Sequence, residues 1–144
     1  MSKLALAVLL AVVIAPAQDS KRKAIVPQGA RVNPNFSPGI QFGDTLYVSG
    51  TTGTDPKSGQ VPANFEEEVK QCLLNIGAVL RSAHMDFSDA VSVQVYLTDM
   101  DLFPRMNAVY QQTFKEPRPS RTTVGVTRLA APGAHVEITV TARK

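Results

Sequence analysis

The sequence predicts one α+β domain: a single-layer mixed β-sheet with two helices packed on one face. Three observations carry this expectation. A chain of 144 residues holds one ordinary domain, and 44% hydrophobic against 19% charged residues is the balance of a folded globular protein. Short β-branched segments alternate with two segments whose apolar residues recur at helical spacing. Their order along the chain is strand, strand, helix, strand, helix, strand, strand. A sheet covered on one side only leaves the other side, rich in small and polar residues, to be covered by a second copy, hence a homo-oligomer.

The N-terminus reads as an export signal. Lys3 supplies a short positive start, Leu4 to Ile14 is an uninterrupted apolar run, and Ala15-Pro16-Ala17 resembles a small-residue cleavage site. The run is shorter than the roughly 20 residues a membrane-spanning helix needs. Residues 1–17 are therefore expected to be removed on export to the periplasm or beyond, and residues 18–31 to form a flexible lead-in. Lys21, Arg22 and Lys23 read as a solvated basic tail within it. Pro27, Gly29, Asn33 and Pro34 keep the stretch Ala24 to Asn35 irregular.

The domain proper, residues 32–144, begins with two strands, Phe36 to Phe42 and Leu46 to Thr52, joined by the hairpin signal Gly43-Asp44-Thr45. Asp55-Pro56-Lys57-Ser58-Gly59 is a further turn. Asn64 followed by Glu67 is a capping-box pattern, and Glu66, Glu67 and Glu68 complement the positive end of a helix dipole. Phe65, Val69, Cys72, Leu73, Ile76 and Leu80 give that helix one apolar face, ending near Ala83 to Met85. Ala90 to Leu97 reads as a strand. Asp99 or Asp101 can cap the second helix, with Leu102, Phe103, Met106, Tyr110 and Phe114 as its buried stripe. Glu116-Pro117-Arg118-Pro119 stops it.

The last two strands carry the candidate chemistry. Alternate residues of a strand face opposite ways, so Arg121 and Thr123 share one face and Thr122, Val124 and Val126 the other. In the final strand His135, Glu137 and Thr139 oppose Val136, Ile138 and Val140. Paired as a two-stranded ribbon through the turn Leu129 to Ala134, with both valine faces on one core, these strands would present Arg121 and Glu137 together. Register is not fixed by sequence, so their separation stays open. A guanidinium beside a carboxylate suits a small anionic substrate and a proton-handling step.

Other classes are disfavoured. A net charge of +3 with no basic-aromatic stripe is weak for nucleic acid. Cys72 is the only cysteine, so no internal disulfide forms, and its place on a helical apolar stripe reads as a buried small hydrophobe. His84 and His135 are too few and too scattered for a metal site, and His84 falls at a helix C-terminus, where a cation is favourable. Gly50 to Gly53 lacks the spacing of a phosphate-cradling loop, and Ser49 has no histidine to activate it.

Several separated segments then agree with one family in order and spacing. They are Asn35-Phe36-Ser37-Pro38-Gly39, Leu46-Tyr47-Val48-Ser49-Gly50, Asp55 to Gln60, Asn107-Ala108-Val109-Tyr110, Arg118 to Val124, and Val136-Glu137-Ile138. Across about Val32 to Arg143 the chain resembles the RidA/YjgF family of reactive-intermediate deaminases. The resemblance implies a chorismate-mutase-like fold and a homotrimer with clefts between subunits. It also implies cofactor-independent hydrolysis of 2-enamine and 2-imine acids to 2-oxo acids and ammonia. It gives Arg121 the substrate carboxylate, Glu137 the water, and Phe36, Ser49, Gly50, Asn107 and Thr123 the walls of the pocket. No metal or cofactor is implied. Many family members carry tyrosine at the position of Phe36 and cysteine at that of Thr123, so this chain lacks one hydroxyl and one thiol there. A trimer of the same fold that binds small carboxylates without turning them over is the alternative.

Overall fold

Chain order and sheet order differ, and the difference decides where the candidate residues fall. The computed structural model describes residues 22–30 and 33–144. The proposed export signal lies outside the described residues, as does the lead-in up to residue 21. The strands are β1 (Lys23–Ile25), β2 (Gly39–Phe42), β3 (Thr45–Thr52), β4 (Ala90–Leu97), β5 (Ser120–Gly125) and β6 (Val136–Arg143). The helices are α1 (Phe65–Ser82) and α2 (Phe103–Thr113). They form one mixed sheet of order β1-β2-β3-β6-β4-β5, with both helices on one face. β4 and β5 run parallel, joined by the α2 crossover, and the other neighbours are antiparallel.

Two boundaries depart from expectation. Lys23 to Ile25, read as lead-in, form an edge strand on β2, with Ile25 opposite Gly39 and buried. β2 starts at Gly39 rather than Phe36, because Pro34 and Pro38 have no N–H to give a ladder. The hairpin that follows has a two-residue loop: Phe42 faces Thr45, and Gly43 takes φ +58°, the glycine-first pattern of a type II′ turn.

α1 begins where its cap dictates. Asn64 Oδ1 accepts from the Glu67 N–H at 3.0 Å. The reciprocal half of the capping box is not made, since Glu67 instead pairs with Lys70 at 2.8 Å. At the other end His84 sits at φ +57°, and His84 N and Met85 N bond to Arg81 O and Leu80 O, a Schellman closure with histidine where glycine is usual. Asp99 caps a short 3₁₀ turn at Met100–Leu102, and α2 starts immediately after it with Pro104 in its first turn.

The core lies between the helices and one sheet face. Val69, Cys72, Ile76 and Leu80 of α1, Met106 of α2 and Phe114 just beyond it meet Leu46, Val93, Val95 and Ile138, all essentially inaccessible. Each such aliphatic side chain contributes about 1.5–3 kcal/mol by leaving water. Arg105 ties the helices together at the rim through a two-pronged bond to Glu66, at 2.7 and 2.6 Å, and lies over the Phe65 ring. That guanidinium holds the Glu66 carboxyl down to about 2.

Glu68 is the exception in this core. Expected as a dipole-compensating surface residue, it is fully buried. Its Oε1 accepts from the N–H groups of His135 (2.6 Å) and Val136 (3.1 Å), and its Oε2 meets His135 Nδ1 at 2.9 Å. The carboxylate thus pins the start of β6 to α1. Gly53 makes room for it: a Cβ there would stand 2.3 Å from the Glu68 carbonyl oxygen and 2.5 Å from its Cγ.

Candidate functional site

β4 lies between β5 and β6, so the expected Arg121–Glu137 ribbon does not form. In register, Arg121 and Thr123 stand beside Val93 and Val95, which face the helices. Glu137 stands beside Tyr96 and Thr52, on the opposite face. Within one chain the two groups therefore occupy opposite sides of the sheet and do not pair. Each strand's own alternation follows the sequence reading. Two things differ: β4 separates the two strands, and β5 turns Arg121 and Thr123 toward the helices while Val124, expected on the core, is exposed.

Arg121 is set under α2 at the sheet edge. Its Nη1 donates to Asn107 Oδ1 at 2.8 Å, and its guanidinium lies 4.5 Å from the Tyr110 ring centroid and 5.5 Å from that of Phe103. Cation–π stacking and one directional bond fix the plane of the fork. It opens onto a cavity of about 400 Å³ shared with Asn107, Tyr110, Gln111, Arg118 and Pro119. Among the described residues no carboxylate pairs with it. Thr123, two residues on and facing the same way, has a buried hydroxyl with no hydrogen-bond partner.

Glu137 is held against Gly50. β3 and β6 shift register between Val48↔Val140 and Thr51↔Ile138, so Ser49 and Gly50 together oppose Thr139. This bulge brings the Gly50 Cα under the carboxylate: a Cβ at Gly50 would lie 2.1 Å from Glu137 Oε1. Only glycine permits that approach. Gly50 and Ser49 also line a larger cleft of about 730 Å³, walled by Phe36, Pro38, Asn75 and Val79 among others. Ser49 Oγ donates to the Ser37 carbonyl at 2.7 Å, which braces the Phe36 loop against the bulge. Phe36 is half exposed on the cleft wall.

The sequence-predicted residues therefore fall into two groups. Arg121, Asn107 and Thr123 gather at the β5–α2 edge, while Phe36, Ser49, Gly50 and Glu137 gather around the β3 bulge. Tyr110 and Phe103, read from sequence only as core, are also the platform for Arg121. The three-residue spacing of Asn107 and Tyr110, which puts both on one helix face, is the signal that could have found this. Cys72 is buried and donates its thiol to the Thr51 carbonyl at 3.0 Å. Burial, and then the charge of Glu68, push that thiol far above its ordinary pKa, so it stays protonated and unreactive. Among the described residues no three His, Cys, Asp or Glu side chains gather as a metal site.

Residues 28–144 match the family model described as endoribonuclease L-PSP. The chain belongs to the RidA/YjgF family. Over 104 residues, covering 72% of this chain and 76% of the relative, it is 40% identical to the mouse protein named 2-iminobutanoate/2-iminopropanoate deaminase. A Rid-family protein from Yersinia pestis has a solved structure that superposes with a TM-score of 0.81 at 31% identity, covering 86% of this chain and all of the other. The E. coli protein TdcF, solved with bound serine, aligns at a TM-score of 0.74 and 28% identity, covering 83% and 94% of the two chains. The two-helix, one-sheet architecture is thus that of RidA/YjgF proteins.

Proposed function

We propose that the protein is an imine deaminase whose active site is completed between subunits of a homotrimer. The observation that carries this is the stacked, hydrogen-bonded Arg121 fork, which opens onto a cavity with no carboxylate partner among the described residues. The names of the relatives supply the reaction class. The division of the candidate residues between opposite sheet faces supports a shared site, with the Arg121 group of one subunit facing the Glu137 group of a neighbour.

In this reading Arg121 grips the substrate carboxylate with two parallel N–H bonds, and Asn107 keeps the fork in plane. Glu137 orients a water toward the C=N carbon. The water oxygen bonds to that carbon and the C–N bond breaks. Both water protons end on nitrogen, so an iminium acid and water give a 2-oxo acid and ammonium. Proximity and a fixed water supply most of the acceleration. Phe36 cannot donate a proton or hold a water through a ring hydroxyl, unlike a tyrosine there.

The test is release of 2-oxo acid from freshly generated 2-iminopropanoate. Wild type should exceed the spontaneous rate, and Phe36→Tyr should equal or exceed wild type. A wild-type rate equal to the buffer control, with saturable binding of small carboxylates, would leave the alternative of a non-catalytic binder. That alternative draws its support from the missing Phe36 hydroxyl. Cleavage of RNA, the activity in the family model's description, is checked with the same preparation on labelled RNA. Gly50→Ala is a second check. Its methyl group displaces the Glu137 carboxylate, so turnover should fall by about a hundredfold, the scale of a ~1 Å misplacement, while circular dichroism stays unchanged. Unaltered turnover would remove Glu137 from the mechanism.

We also propose, from the apolar run and small-residue motif of residues 1–17, that the chain is exported. Fractionation of cells expressing the full chain, with N-terminal sequencing of the product, tests this. An intact N-terminus in the cytoplasmic fraction would overturn it.

A further inference from the structure

The cavity under Arg121 holds a second guanidinium that the hydrolysis reading does not use. Arg118 lines the same space, three residues earlier and separated from Arg121 by Pro119 and Ser120. Its carboxylate partner is Glu116, a largely exposed residue of the same loop. An exposed pair of this kind is held weakly and exchanges readily for another anion. Tyr110 also lines this cavity. The Tyr110 hydroxyl is buried, belongs to a residue 4% exposed, and has no hydrogen-bond partner. Burial raises the Tyr110 pKa, while Arg121 and Arg118 both pull it down, so both positive charges act on this one hydroxyl. Gln111 supplies an amide at the same rim.

A substrate with a single carboxylate neutralises only one of the two guanidiniums. Two guanidinium forks around about 400 Å³ fit a small dianion, with one carboxylate on Arg121 and the other on Arg118. We propose that Arg118 is a specificity-determining residue forming a second anion subsite, and that the preferred substrates are 2-imino acids bearing a further side-chain carboxylate. This rests on the imine-deaminase reading for turnover, but the subsite can be tested by binding alone.

Two measurements on the full chain separate the proposals. In the first, imines are generated in situ by amino-acid oxidases from alanine and from aspartate, and 2-oxo acid release is followed for wild type and Arg118→Gln. Wild type should favour the diacid. Arg118→Gln should raise KM for the diacid about tenfold, the scale of one charge-assisted bond, and leave the alanine-derived imine unchanged. In the second, calorimetry compares 2-oxoglutarate with 2-oxobutanoate. The dicarboxylate should bind about tenfold more tightly to wild type, and that preference should vanish in Arg118→Gln. Equal affinity for the two acids in wild type, or a preference that survives Arg118→Gln, overturns the subsite. A dicarboxylate preference in binding with no turnover of either imine overturns the deaminase reading instead and leaves the subsite standing.

Discussion

Replacing Arg121 with alanine is expected to lower kcat/KM for imine hydrolysis by about a hundredfold, equivalent to about 3 kcal/mol of transition-state binding. The loss follows from the anchor's chemistry. A two-pronged charge-assisted contact both holds the carboxylate and fixes the C=N carbon relative to the water, so affinity and orientation disappear together. Arg121→Lys should recover little, because an ammonium lacks the planar fork that Asn107 and Tyr110 hold. Thermal stability should change little in either variant, since Arg121 is only half-buried and its bond to Asn107 lies at the sheet edge. Steady-state kinetics beside a melting curve give both readings. A variant that melts normally and keeps wild-type kcat/KM would remove Arg121 from the site.

The second large effect is on stability. Glu68→Ala should destabilise the fold by roughly 3–5 kcal/mol, the cost of stripping a buried charge network of its acceptor. Two backbone N–H groups, of His135 and Val136, lose their partner, and a cavity opens between α1 and the start of β6. For a domain of this size that is a fall in Tm of roughly 10 °C. Glu68→Gln keeps one acceptor oxygen and should cost less. Urea or thermal unfolding of the three proteins decides it. Equal stability of wild type and Glu68→Ala would mean that water replaces the carboxylate without penalty.

Local structure was legible in the sequence because its causes are local. Asn64 caps α1, Gly43 makes the hairpin turn, and the apolar spacing of Phe65 to Leu80 and of Met106 to Phe114 marks the buried faces. Sheet order was not legible. Adjacency of strands far apart in the chain depends on packing across the whole core, and β5, an edge strand beside β4, turns its Arg121 face rather than its Val124 face toward the helices, opposite the side that holds Glu137. Alternation gives two faces to each strand but does not say which neighbour shares them. The burial of Glu68 was hidden for the same reason: its partners lie 67 and 68 residues away. Tyr110 reads from its spacing as core and not as a platform, since one aromatic ring serves both tasks.

The opposed placement of Arg121 and Glu137 has a genetic consequence. If each cleft takes its arginine from one subunit and its glutamate from the next, a gene crippled at Arg121 and a gene crippled at Glu137 each encode a chain with no working cleft. Co-expressed, they would assemble mixed rings in which some clefts draw both intact groups, one from each allele. Two null alleles would then rescue one another, an outcome denied to any enzyme that keeps its whole catalytic apparatus within a single polypeptide.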